Sequence, residues 1–281
     1  MGLIRFVSGL AQASRIPNLL IIALAQFASA YMIYRHGLIP YIEVDILLLM
    51  VSTMMVAAGG YIINDYYDLK IDMINRPEQV VVGKTLSRRK ALVSHLLISM
   101  AGIMIGTLFS WKIGTLHIFS TFLLWYYSNH LRRFFIGKIV IASLTAFSVL
   151  AVGIGYEVVS YRLMAFATFG AAVVWVRELI KELGNAKGTK AFGVESVHEV
   201  WGVKGTKALI WTITVVAVGL VVYFVIQVKT QIIAYYYAAH LPLIIWFSYK
   251  VYRADRKAHF LWLKNFTNLL ILSGLVSMLF V

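Results

Sequence analysis

Nine long apolar stretches punctuate this chain of 281 residues, and they limit its fold more than any other feature. They run from Ile16 to Tyr34, Asp45 to Asn64, Ala91 to Trp111, Gly114 to His130, Lys138 to Tyr156, Leu163 to Leu183, Ala208 to Val228, Ile232 to Tyr252 and Phe260 to Phe280. A helix crosses the hydrocarbon of a bilayer in about 20 residues. Inside lipid, only a helix satisfies its own backbone within one segment, apart from a closed barrel. The pattern therefore predicts an all-α, polytopic bundle of nine transmembrane helices. The longest hydrophilic loops, Asp65 to Lys90 and Gly184 to Lys207, follow the second and sixth spans. That spacing of four helices suggests two four-helix halves, about 1–135 and 136–281, with one further helix, in a single membrane domain.

Composition narrows the class. Hydrophobic residues make up 60% of the chain and charged ones only 14%, too little polar surface for a soluble domain of this length. There is no cysteine, which removes disulfides, thiolate metal sites and a Cys nucleophile. The formal charge of +14 first suggests nucleic acid, a membrane surface or an anionic ligand. Its distribution decides. Of the 26 Lys and Arg residues, only Arg35, Lys112, Arg162 and Lys229 fall in odd-numbered connections. Cytoplasmic loops collect positive charge, so the N-terminus is expected inside and the C-terminus on the opposite side, with no nucleic acid required. Arg5, Arg15 and Ala28-Ser29-Ala30 imitate a cleavable leader. The apolar run continues to Tyr34, however, and predicts a retained anchor helix.

Two polar segments adjoin these spans. In GYIINDYYDLKIDMINRPEQVVVG, from Gly60 to Gly83, the residues Asn64, Asp65, Asp68 and Asp72 follow directly on the second span. If the helix continues, the aspartates fall at i, i+3 and i+7 on one face. Like charges so placed repel, more strongly near lipid, and call for a cation among them. Hard oxygen donors suit Mg²⁺, which also bridges to phosphate oxygens. In WVRELIKELGNAKG, from Trp175, Arg177 and Lys181 are one turn apart, as are Glu178 and Glu182. The cations suit a diphosphate and the carboxylates a second Mg²⁺, although Glu178 to Lys181 is also an ordinary i, i+3 ion pair.

The run Asn64 to Asp72, with Asn75-Arg76-Pro77 after it, resembles the NDxxDxxxD signature of the UbiA superfamily of intramembrane prenyltransferases. Arg15-Ile16-Pro17-Asn18 is similar to the family's RxxN lead into the first helix. Arg177 to Glu182 resembles the REIIKD run of its geranylgeranylglyceryl-phosphate branch. The chain also departs from the family. Glu182, Asn185 and Thr189 stand at places matching acids of the second motif, Gly184 stands where another acid is common, and Lys138 stands where a Gly-Asn pair is usual after Gly137.

The resemblance implies Mg²⁺-dependent transfer of a prenyl group from a polyprenyl diphosphate to a lipid-like, phosphorylated or aromatic acceptor within the membrane. It assigns Asp65, Asp68 and Asp72 to Mg²⁺, with Asn64 as a helper. Glu178 and Glu182 would hold a weaker second cation or orient the basic residues. Arg177, Lys181, Arg76 and Lys84 would hold diphosphate, and Arg15 and Asn18 join them by resemblance alone. Tyr126 and Tyr127 precede Arg132 and Arg133 on the motif side and are the best-placed aromatics to face an allylic cation. Two alternatives remain open from the sequence: a transporter or lipid carrier, and a degenerate family member that binds polyprenyl lipid without turnover.

Overall fold

A computed structural model describes residues 2–40, 44–185 and 197–281. Among the described residues every regular element is helical: α1 Gly2–Ala13, α2 Ile16–Arg35, α3 Ile46–Asn75, α4 Arg88–Phe109, α5 Trp111–Asn129, α6 Ile136–Gly155, α7 Tyr161–Gly184, α8 Val197–Val228, α9 Gln231–Arg253 and α10 Lys257–Ser277. Each of the nine apolar stretches lies mostly within one of α2–α10. Eight of these helices are long and apolar enough to cross a membrane. The exception is α5, which is only 19 residues long and carries Lys112, His117, Ser120 and Ser128. The chain is an integral, multi-pass membrane protein. Its exposed side chains fit that medium: Leu97, Met104, Val215 and Ile245 lie on the outside of their helices, where lipid rather than water is the matching solvent.

The chain divides into two compact units, residues 1–133 with 147–160, and residues 134–146 with 161–281. In the first unit α3 is the central element, packed by α1, α2, α4 and α5. Small residues let these helices approach closely. Gly59 faces Ser99 and His95 of α4, Gly60 faces Leu124 of α5, and Gly106 faces His117 of α5. A Cβ on Gly102 would lie 2.9 Å from the Ser52 carbonyl oxygen and 3.0 Å from Met55 Cβ, and the first of these is backbone that cannot rotate away. Gly102→Ala is therefore expected to destabilise the protein by about 1–3 kcal/mol. Thermal unfolding in detergent checks this, and an unchanged midpoint would mean that α3 and α4 have room to part. Several buried polar groups pair internally, as lipid favours. Gln26 Nε2 donates to Thr53 Oγ1 at 2.9 Å and to the Ser148 carbonyl at 3.0 Å, and Ser52 Oγ meets His117 Nε2 at 2.9 Å.

The segment before α2, to which the sequence assigned no element, forms α1. Twelve residues are too few to span a bilayer. Its Leu10 and Ala13 instead pack with Ile62, Leu86 and Ala91. In the second unit α7 packs against α8 and α10. Leu179, Ile180 and Leu183 meet Ile210, Phe247, Val251 and Leu263 in one core. Helix α8 begins before its expected span and breaks at Gly202, where φ is 68°. Glycine is the residue that adopts this conformation without a Cβ penalty. Helix α9 continues through Pro242.

Candidate active site

Helix α3 runs 30 residues, about 45 Å, and so continues beyond its membrane span through the predicted acidic face. The three aspartates are shielded from bulk solvent: Asp68 is only 4% exposed, and Asp65 and Asp72 are partly buried. Each carries an arginine. Arg15 NH2 lies 2.6 Å from Asp65 Oδ1. Arg132, from the short 3-10 turn Leu131–Arg133, pairs with Asp68, which also accepts from Asn64 Nδ2. Arg76 holds Asp72 with two nitrogens, Nε at 3.2 Å and NH2 at 3.1 Å. The cationic demand anticipated from the spacing is met here by guanidiniums drawn from three places in the chain.

Arg15 occupies an unusual backbone position. Its φ is 54°, in the left-handed region, at the junction between α1 and α2. Such a residue costs of order 1–3 kcal/mol and persists only where its surroundings hold it. The bond to Asp65 and the Tyr61 ring, 5.0 Å from the guanidinium, supply that hold. Burial opposes the Arg15 charge, but Asp65, Tyr61 and Asp72 outweigh it, and its pKa lies above the ordinary arginine value.

Among the described residues no group of three acidic or histidine side chains is arranged around one common metal position. The donor chemistry of the α3 face nevertheless fits Mg²⁺. Asn64, Asp65, Asp68 and Asp72 present hard oxygens along one side of a helix, and each carboxylate already holds a cation. These are the residues that would hold the ion.

A second cluster belongs to the other unit, on the last two turns of α7. Glu178 is buried and faces two cations, Lys181 Nζ at 2.9 Å from Oε2 and Arg177 NH1 at 3.4 Å from Oε1. Glu182 is also buried. Its Oε2 meets Lys138 Nζ at 2.9 Å, and its Oε1 accepts the backbone N–H of His198 at 2.9 Å. Two carboxylates thus face three fixed cations. The sequence left this cluster open as a second Mg²⁺ site or as an ordinary ion pair that orients the basic residues; the charge balance of the described residues fits ion pairing and not a divalent cation.

Of the residues singled out in the sequence, Asn64, Asp65, Asp68, Asp72, Arg15 and Arg76 come together in the first cluster. Arg177, Glu178, Lys181 and Glu182 come together in the second. Lys84 does not join its group: its Nζ donates to the Pro77 carbonyl at 2.7 Å in an exposed loop. Asn18 is half-buried in the first turn of α2, where its backbone N–H meets the Arg15 carbonyl at 2.8 Å. Tyr127 is buried on α5, while Tyr126 stacks on Phe122 with ring centroids 5.9 Å apart. Asn185 ends α7 with its N–H on the Glu182 carbonyl at 3.0 Å, and Thr189 lies outside the described residues. Two members escaped the sequence reading. Arg132 was visible only as half of an Arg-Arg pair just beyond a span, and Lys138 only as a departure from the family pattern at the start of one, with no role attached.

A nearly all-helical membrane protein with an acidic helix face met by arginines belongs to a narrow class. The UbiA prenyltransferase family profile matches residues 19–272, and the chain belongs to that family. Among its relatives, the digeranylgeranylglyceryl phosphate synthase of Thermococcus sibiricus is 28% identical over 240 residues, covering 83% of this chain and 82% of that one. The synthase of the same name from Sulfurisphaera tokodaii is 24% identical over 234 residues, 82% of this chain and 80% of that one. The fold is similar to that of a UbiA homologue from Aeropyrum pernix K1, with a TM-score of 0.71 at 18% identity over 92% of this chain and 96% of the other. It is also similar to a UbiA homologue from Archaeoglobus fulgidus bound to GPP and Mg²⁺, with a TM-score of 0.67 at 14% identity over 96% and 99%.

Proposed function

We propose that this protein transfers a prenyl group, with Mg²⁺, from a prenyl diphosphate to a glycerol-phosphate-type lipid acceptor, and that its 281 residues act as one catalytic domain. The observation that carries this reading is the α3 face, where Asp65, Asp68 and Asp72 leave the membrane together, shielded and each matched to a cation. The names of the relatives and the run Arg177 to Glu182 favour the phosphorylated lipid acceptor over an aromatic one.

In this reaction the allylic C–O bond breaks and its electron pair leaves on diphosphate. The acceptor oxygen then bonds to the allylic carbon, and its proton passes to water or to the released diphosphate. Bound Mg²⁺ supplies neutralisation of the charge that develops on the departing phosphates. Asp65, Asp68 and Asp72 would hold the ion, and Asn64 donates to Asp68 through its amide. Arg15, Arg76 and Arg132 stand beside these carboxylates and would offer phosphate oxygens the planar donor fork that guanidinium geometry supplies. Arg177 and Lys181 are assigned to phosphate binding on the same ground. The allylic cation requires a site closed to water, which would otherwise capture it.

Purified protein offered labelled prenyl diphosphates and a panel of acceptors is expected to release pyrophosphate and form a prenylated lipid. Chelation of Mg²⁺ should abolish both products and re-addition restore them. Solute uptake into liposomes without pyrophosphate release would replace this reading with that of a carrier. The distribution of Lys and Arg also supports a cytoplasmic N-terminus and a C-terminus on the opposite side. Because the chain has no cysteine, one engineered near each terminus can be probed with an impermeant maleimide. Labelling of both termini from the same side would overturn that orientation.

A further inference from the structure

The second cluster is saturated with charge of the wrong sign for a metal site. Each carboxylate oxygen of Glu178 and Glu182 has a neighbour: Lys181 at 2.9 Å and Arg177 at 3.4 Å on Glu178, and on Glu182 the His198 N–H at 2.9 Å and Lys138, which stands at ion-pair distance, 2.9 Å, without a hydrogen bond. Mg²⁺ gives up its own water reluctantly and takes protein carboxylates that are open to it. On the α3 face three carboxylates balance three guanidiniums, whereas here two carboxylates face three cations, so a dication would add to an existing excess of positive charge.

Lys138 is the unusual member. It stands in the first turn of α6, where the positive end of the helix dipole disfavours a cation. A lysine serving only the charge asymmetry of the loops would extend its long stem and leave its ammonium in water. Lys138 does the opposite: it is only 7% exposed, and its Nζ is aimed at a carboxylate that is itself buried. Burying an ammonium is costly unless a well-placed anion compensates it. Glu182 is that anion.

We infer that Lys138 is the resident cation of this cluster, standing in place of a second divalent ion, and that among the described residues metal binds on the α3 face alone. Lys138 is a positioning residue. It fixes Glu182, while Arg177 and Lys181, on the same turns of α7, are left as metal-free cations for an anionic ligand. The inference rests on the reading of the chain as a Mg²⁺-dependent prenyltransferase.

The test counts bound Mn²⁺, the spectroscopic substitute for Mg²⁺, by electron paramagnetic resonance on the full-length protein with an unreactive prenyl thiodiphosphate present. Wild type and Glu182→Gln are expected to bind the same number, and Asp68→Asn to lose it. Lys138→Met removes the internal cation from two buried carboxylates and is expected to gain one further Mn²⁺ per chain, whereas Lys138→Arg keeps the wild-type count. A count that falls in Glu182→Gln, or one that stays unchanged in a folded Lys138→Met, overturns the inference. If Lys138→Met does not fold, the comparison of wild type with Glu182→Gln decides. A wild type that binds Mn²⁺ but forms no prenylated product would overturn the proposed reaction and leave the metal count standing.

Discussion

Asp68→Asn is expected to slow prenyl transfer by about a hundred- to a thousand-fold, the scale seen when one preorganised charge-stabilising group is removed, with the helical fold retained. Asp68 is the most deeply buried of the three aspartates and the one tied to both a neighbouring amide and an arginine. Asparagine keeps the shape but removes the charge that holds the metal, and it leaves the Arg132 guanidinium without its anion. Initial rates at saturating Mg²⁺ measure the effect, and circular dichroism and thermal unfolding verify the fold. The same assay ranks the two motifs. Asn185→Ala removes a neutral group from the end of α7 and should cost less than about ten-fold, since a neutral hydrogen bond contributes about 1 kcal/mol. Equal losses in the two variants would reverse the weight placed on the α3 face.

Lys138→Met is expected to destabilise the protein by about 3–5 kcal/mol, the cost of leaving one partner of a buried ion pair uncompensated. Methionine nearly matches the lysine stem in volume, so packing changes little and the loss is electrostatic. With Lys138 gone, Glu182 keeps its His198 N–H but has no neighbouring cation on its other oxygen. The double variant Lys138→Met, Glu182→Leu should recover most of the loss, because replacing both partners removes the uncompensated charge. Unfolding midpoints of the three proteins in detergent form the cycle. A single variant within about 0.5 kcal/mol of wild type would mean that the pair is hydrated and contributes little.

The helices were legible because hydropathy acts on each stretch independently of the others. A run such as Ala208 to Val228 must be helical wherever its neighbours lie. Legibility weakened where that rule loosens. Helix α5 is less apolar than the rest, and α1 is too short to be read as a span. The upstream turns of α8 depend on a break at Gly202 that no periodicity announces. The continuation of α3 was readable because three aspartates at helical spacing make sense only on one face.

At the site, the sequence established the chemistry in demand, and the tertiary structure chose what meets it. Three acids on one helical face require positive charge by simple electrostatics, and local spacing is enough to say so. Arg15 reaches Asp65 across 50 positions of sequence, Arg132 arrives from the turn after α5, and Lys138 is buried against Glu182. None of these partners is encoded near the residue it serves. Membrane insertion follows from each segment's own transfer free energy, whereas ion pairing depends on pairwise distance and burial, quantities that exist only once the helices have packed.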